Sequence, residues 1–298
     1  MENHITNKGG YIMQYQFLRF PEGKSKAVTL SYDDGIRQDI RFSELLNKYG
    51  MKCTFNLNTS TLRLQTGLSK EEVKEYILEK GHEIAVHGSN HRAEGTLRPI
   101  EGIRDVLDNR LELEDSYGII VRGMAYPDSG ITYFANGANY DSIKNYLKEL
   151  DIVYSRTLGG DNNSFELPQD WHAWMPTAHH NNPHIFEYIE KFINIDLESI
   201  KTYGAKRQPR LFYLWGHSYE FDDKDNWDHI EKICQELSGK EDTWYATNMQ
   251  IYNYVTAYNA LVYSADGTRI YNPSLYTIWF DIDRKLYSVK SGKTIIIK

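Results

Sequence analysis

The chain has 298 residues, and 34 basic against 41 acidic side chains leave it a formal net charge of −7. Its 41% hydrophobic and 25% charged residues supply ample material for a core, which excludes disorder as the main state. The acidic balance, without a basic stripe, excludes a nucleic-acid binder that tracks phosphates; no run approaches the roughly 18 apolar residues of a membrane helix; and two cysteines exclude a disulfide framework or thiolate zinc site.

The polar start, residues 1–10, has no leader pattern, so the chain as written reads as cytoplasmic, and as extracellular only if a leader has been removed. From about residue 26 to 254, strand-like and helix-like segments alternate, the pattern of a mostly parallel sheet wrapped by helices. Residues 27–32 (AVTLSY) read as a strand, 41–49 as a helix closed by Gly50, and 52–57 as the next strand. A capping box at Ser69–Glu72, in which hydroxyl and carboxylate satisfy orphan amides, opens a helix to about Lys80. Residues 83–86 read as a third strand, 99–117 as a helix and 119–124 as a fourth strand. Further on, 140–150 read as helical, 152–155 as extended, 210–215 as a buried strand, 227–237 as helical and 244–246 as a last short strand.

From about residue 259 the pattern changes. Asp266-Gly267 is a hairpin signal between 261–264 and 268–271, and alternating runs follow at 276–280, 285–289 and 294–297. The organisation expected is therefore an N-terminal extension over 1–25, an α/β domain over 26–255 and a small antiparallel β appendix over 256–298. Cys53 and Cys234 read as buried reduced thiols.

In a parallel α/β sheet, reactive groups belong at the C-terminal ends of strands. Asp33 and Asp34 end the first strand, His87 and His91 follow the third, Arg122 and Pro127 lie at the fourth, and His217 follows 210–215. The spacing of four lets His87 and His91 share an ion, and two imidazoles with one carboxylate form a common open ligand set. Adjacent carboxylates repel one another, so each of Asp33 and Asp34 needs its own partner, which a metal on one would provide. The bland readings are a strand-ending turn with a helix cap for Asp33–Gly35, two surface histidines for His87 and His91, and a core histidine for His217.

Taken in order, these residues resemble the polysaccharide deacetylases, carbohydrate esterase family four, the NodB-homology domain. The segment Thr29–Gly35 resembles the opening T-F-D-D-G motif, which implies Asp33 as base and Asp34 as metal ligand. His87 and His91 match the ends of H-[ST]-x-x-H, with Gly88 at the usual Ser or Thr, and are implied to complete the ligand triad. Arg122 to Pro127 resembles R-x-x-x-x-P; Arg122 is implied to orient the base, and a backbone amide of the loop, which includes Tyr126, to help bind the oxyanion. Asp128-Ser129-Gly130 stands where Tyr-Gly is common, so a different groove wall is expected. Asp170-Trp171 is the nearest match to a fourth motif, and Trp215 and His217 to the fifth, in which His217 inherits the role of general acid.

The resemblance spans about 26–254 and implies a distorted (β/α) barrel of the NodB-homology type. It implies a divalent ion, zinc first, with cobalt, nickel, manganese and iron fitting the same donors, and an acetylated saccharide as substrate, N-acetyl ahead of O-acetyl. No nucleic-acid or membrane partner is expected. Two other readings stay open: an amidohydrolase of a small non-sugar amide on the same fold, and a carbohydrate-binding protein without turnover.

Overall fold

The computed structural model describes residues 15–297, which divide into two compact units. The first holds Lys26–Ile195 and Arg210–Tyr252; the second holds Asp196–Pro209 with the described parts of Met1–Ser25 and Asn253–Lys298. No helix of the described residues is long and apolar enough to cross a membrane.

Strand β1 (Gln16–Arg19) belongs to the second unit. The first unit is built on β2 (Lys26–Asp34), β3 (Cys53–Leu57), β4 (Glu83–Val86), β5 (Gly123–Ala125), β6 (Tyr154–Arg156), β7 (Ala178–His179), β8 (Arg210–Gly216) and β9 (Thr243–Tyr245). All their pairings are parallel, in the order β6-β5-β4-β3-β2-β8-β7, with β9 also paired to β2. Along one edge of β2 runs β8; along the other, β9 takes Lys26–Val28 and β3 takes Leu30–Asp34. With helices between successive strands, this is a distorted (β/α) barrel, as the sequence implies.

Successive side chains of a strand face opposite sides, and β2 uses both. Val28, Leu30 and Tyr32 join the apolar core with Phe42 and Leu46 from the helix Gln38–Lys48, and the rings of Tyr32 and Phe42 lie 4.1 Å apart. Burying each such side chain contributes about 1.5–3 kcal/mol. Thr29, Ser31 and Asp33 face the other way, equally buried, where Asn248 and Asn56 satisfy them. That polar row runs to the C-terminal end of β2.

The capping box at Ser69 forms as expected, but its helix, Lys70–Glu72, passes into a wider π turn over Val73–Leu78. The helix Pro99–Tyr117 ends on Gly118 in the left-handed conformation, φ 67°. The strand expected over 119–124 is instead β5, Gly123–Ala125, because Ile119 and Ile120 are exposed rather than part of the sheet. Cys53 and Cys234 are buried free thiols. The helix Asn248–Asn259 was not anticipated: its Ile251, Tyr252, Tyr254 and Val255 are β-branched or aromatic residues that also suit strands.

In the second unit, β10 (Val262–Tyr263), β11 (Arg269–Tyr271) and β14 (Thr294–Ile296) form one antiparallel sheet around the Asp266-Gly267 turn. β12 (Ile278–Ile282) and β13 (Lys285–Val289) form another, to which β1 adds as a third strand. Asp196–Pro209 is drawn in by ion pairs: Arg207 meets Asp281 at 2.5 Å, and Arg19 meets Glu198 at 3.0 Å. Both guanidinium groups are buried, so each needs its carboxylate.

Candidate active site

Asp33 and Asp34 end the central strand. Asp34 has φ 87° and Gly35 φ 74°, and this left-handed pair ends the extended backbone. The Asn58 side chain donates to Asp34 Oδ1 at 2.9 Å and holds its carboxylate in place.

His87 follows β4, and its ring is oriented from behind. Its Nδ1 lies 2.9 Å from the Ala125 carbonyl of β5, which can only accept, so Nδ1 carries the proton and Nε2 presents a lone pair. That Nε2 is buried and has no hydrogen-bond partner among the described residues. The chain then turns through Gly88, φ 71°, and His91, φ 52°, rather than through a helix. A Cβ at Gly88 would lie 2.3 Å from Asp105 Oδ2, while Asp105 Oδ1 accepts from the Asn90 amide and side chain. Glycine therefore stands at this position for both its φ and its size.

Asp34 Oδ1 lies 3.4 Å from His91 Nε2 and 3.8 Å from His87 Nε2, and one ligand atom from each residue falls within 4.8 Å of the others. Burial, only partly offset by the neighbouring carboxylates, holds His87 below the usual imidazole pKa, so the ring stays neutral and able to ligate. An orphaned buried nitrogen, a second imidazole and a carboxylate fit a divalent ion with open positions left over. The carbonyl behind His87 is the partner that orients a metal-binding imidazole.

Asp33 is buried beside this triad. Its Oδ1 accepts from Asn56 at 2.8 Å and its Oδ2 from Arg156 Nη2 at 2.5 Å. Burial alone would raise the carboxyl, but the Arg156 guanidinium, the His87 and His217 imidazoles and the Asn56 hydrogen bond hold it below the usual carboxylate range. Arg156 ends β6, is itself buried, and lies 4.5 Å from the Trp215 ring centroid.

His217 follows β8. Its Nε2 lies 3.8 Å from Asp33 Oδ2, and its Nδ1 2.9 Å from Glu220 Oε1. Burial works against the imidazolium, yet the Glu220 hydrogen bond and the Asp33 charge outweigh it and raise the pKa above the ordinary value. Glu220 also meets His179 Nε2 at 3.1 Å. Donor atoms of His179, His217 and Glu220 gather within 4.8 Å, but the Asn181 amide donates to His179 Nδ1. That leaves the His179 proton on Nε2 as a donor to Glu220, so this trio is a hydrogen-bonded relay.

A cavity of about 350 Å³ opens over Asp33, His87, His91 and His217. Tyr126, Asp128, Ser129, Leu158 and Trp215 complete its wall.

The structure thus brings together Asp33, Asp34, His87, His91 and His217, with Tyr126 and Trp215 on the cavity wall. It does not bring Arg122 there. Arg122 precedes β5 and so sits at the opposite, N-terminal end of the strand, where it pairs with Asp151 at 2.7 and 2.9 Å. Arg156 pairs with Asp33 instead. The Tyr126 amide donates to the Arg156 carbonyl within the sheet, and proline has no N–H, so neither Tyr126 nor Pro127 offers a free amide to an oxyanion. Pro127 is buried and opens the turn that leads to Asp128.

Asp170 and Trp171 also lie elsewhere. Asp170 accepts from Tyr140 at 2.6 Å and Lys144 at 2.5 Å and caps the short turn Trp171–Ala173. Trp171 packs on Trp174 and Tyr252, and the pair borders a separate cavity of about 360 Å³ with Lys144 and Lys148. Sequence reasoning passed over Arg156, Glu220, Asn56 and Asn58. Signals existed for two of them: Arg156 directly follows the extended stretch 152–155, and Glu220 stands three residues after His217.

The family model for polysaccharide deacetylase matches residues 21–154. No curated protein matches the chain. Among solved structures, a Mycobacterium smegmatis structure titled as a polysaccharide deacetylase is 17% identical, covering 83% of this chain and 96% of that one, with a TM-score of 0.56. The Xyl-CE4 domain of a multidomain xylanase from the hindgut metagenome of Trinervitermes trinervoides is 13% identical, covering 78% and 92%, with a TM-score of 0.51. Against a Streptococcus pyogenes deacetylase in complex with acetate, at 19% identity, 44% of this chain covers 55% of that one, and the TM-score is 0.39. The first two likenesses agree with the parallel barrel derived above. Over residues 21–154, a stretch that includes the Asp-Asp and His-x-x-x-His motifs, this chain is similar to the polysaccharide deacetylase family.

Proposed function

We propose that the protein is a metal-dependent deacetylase that hydrolyses acetyl groups from a carbohydrate, N-acetyl in preference to O-acetyl. The observation that carries this reading is the buried, unpartnered Nε2 of His87, aimed at Asp34 and His91 and adjacent to an ionised Asp33. Asp34, His87 and His91 would hold the ion, zinc first. When bound, it supplies Lewis acidity, polarising the acetyl carbonyl and making water more acidic.

The chain's own residues do the rest. Asp33 takes the proton from water as the new C–O bond forms, and Arg156 and Asn56 keep that carboxylate charged and aimed. His217 gives a proton to the sugar nitrogen as the C–N bond breaks, and Glu220 fixes the imidazole with Nδ1–H inward and Nε2 toward the cavity. An amine cannot depart as an anion, so a well-supported acid favours amide over ester cleavage. Trp215 and Tyr126 provide flat walls for a sugar ring.

Two variants test the assignment. Asp34→Ala is expected to abolish stoichiometric metal in elemental analysis. Asp33→Asn is expected to keep the metal and lose about 10²-fold or more in acetate release. Full turnover in Asp33→Asn would overturn the base assignment, and full metal occupancy in Asp34→Ala would overturn the ligand assignment.

A further inference from the structure

The cavity wall carries one feature that the chemistry above does not use. Pro127–Gly130 is a tight turn, closed by the Gly130 amide donating to the Pro127 carbonyl at 2.9 Å, and its second residue, Asp128, has φ 50°. Glycine adopts that backbone freely, whereas a residue with a Cβ is held there at a cost of about 1–2 kcal/mol.

The Asp128 carboxylate is exposed, lines the cavity, and has no hydrogen bond or ion pair among the described residues. Asp33 is paired with Arg156 and His217 with Glu220, while Asp34, which does not line the cavity, accepts a hydrogen bond from Asn58. No lysine or arginine lines the cavity. A substrate approaching the acetyl site therefore meets, on the cavity wall, a carboxylate without a cationic partner among the described residues, on a chain whose net charge is also negative.

We propose that Asp128 is a specificity-determining residue, selecting amino-sugar chains that carry free protonated amines near the acetylated unit and rejecting chains that carry carboxylates. This substrate class rests on the deacetylase reading. A partly deacetylated oligomer supplies the complementary ammonium group, so the product of one cleavage would be a favoured substrate for the next. Like-charge repulsion would exclude acidic glycans of the same length.

Asp128→Asn tests this directly, because asparagine keeps the shape and tolerates the same φ while removing the charge. In calorimetric titration with a fully deacetylated glucosamine oligomer, the variant is expected to bind about three- to tenfold more weakly at low salt, and the difference should shrink at high salt. The ratio of kcat/KM for partly deacetylated over carboxylated N-acetyl oligomers is expected to fall by a similar factor. Equal affinity in both proteins at low salt, with an unchanged ratio, would overturn the proposal. If no oligomer releases acetate, the deacetylase reading fails, and the titration still decides the role of Asp128.

Discussion

His87 is a residue type acquiring a role from its surroundings. The histidine is ordinary; the carbonyl of Ala125 behind it and the lack of a hydrogen-bond partner in front, among the described residues, leave Nε2 with a lone pair that could ligate an ion. Arg156 and Arg122 make the same point by contrast. Both are arginines near strands, yet one is buried on Asp33 and the other sits half-exposed on Asp151. Arg156→Lys keeps the charge but loses the planar fork, and is expected to lower kcat at least about tenfold while the protein stays folded. Arg122→Gln is expected to leave acetate release unchanged and to shift stability by no more than about 1 kcal/mol, since exposed ion pairs contribute little. Steady-state assays with thermal unfolding of both variants check this; a reversed pattern would return the positioning role to Arg122.

At the scale of elements, most of the frame was legible because apolar runs and turn chemistry are local. Strand β4, the helix Pro99–Tyr117, the capping box at Ser69 and the Asp266-Gly267 hairpin follow from residues close in the chain. The site was legible for the same reason wherever its residues sit at strand ends in short motifs. One boundary error was enough to misplace Arg122. The apolar run 119–124 suggested that the strand began early, whereas Ile119 and Ile120 are exposed and β5 starts at Gly123, which puts Arg122 before the strand. Asp170-Trp171 failed differently, because a two-residue resemblance carries no information about which cavity it borders. The turn after β4 is the element whose sequence requirement is sharpest. Gly88→Ala adds a Cβ 2.3 Å from Asp105 Oδ2 at φ 71° and is expected to destabilise the protein by about 1–3 kcal/mol and weaken metal binding. Denaturant unfolding with metal titration checks it, and wild-type values for both would show that the turn tolerates other geometry.

Over the whole molecule, the fold's contribution is long-range. Asp33 and Arg156 are 123 positions apart, and they meet because β2 and β6 both end on the same rim of a parallel sheet. No local pattern reports such a pairing. The second unit teaches the same lesson: its antiparallel character was legible, but the addition of β1 to β12 and the capture of Asp196–Pro209 depend on partners far along the chain. The candidate ligand group Asp34, His87 and His91 likewise brings the end of β2 to the turn after β4.

The most direct test is elemental analysis of the purified protein, run beside acetate release from a panel of N-acetylated and O-acetylated saccharides with and without chelator. The expected result is one equivalent of divalent metal per chain, with acetate release from N-acetylated members that stops on chelation and returns when zinc is restored. Undiminished acetate release from protein stripped of metal would contradict the account at its centre.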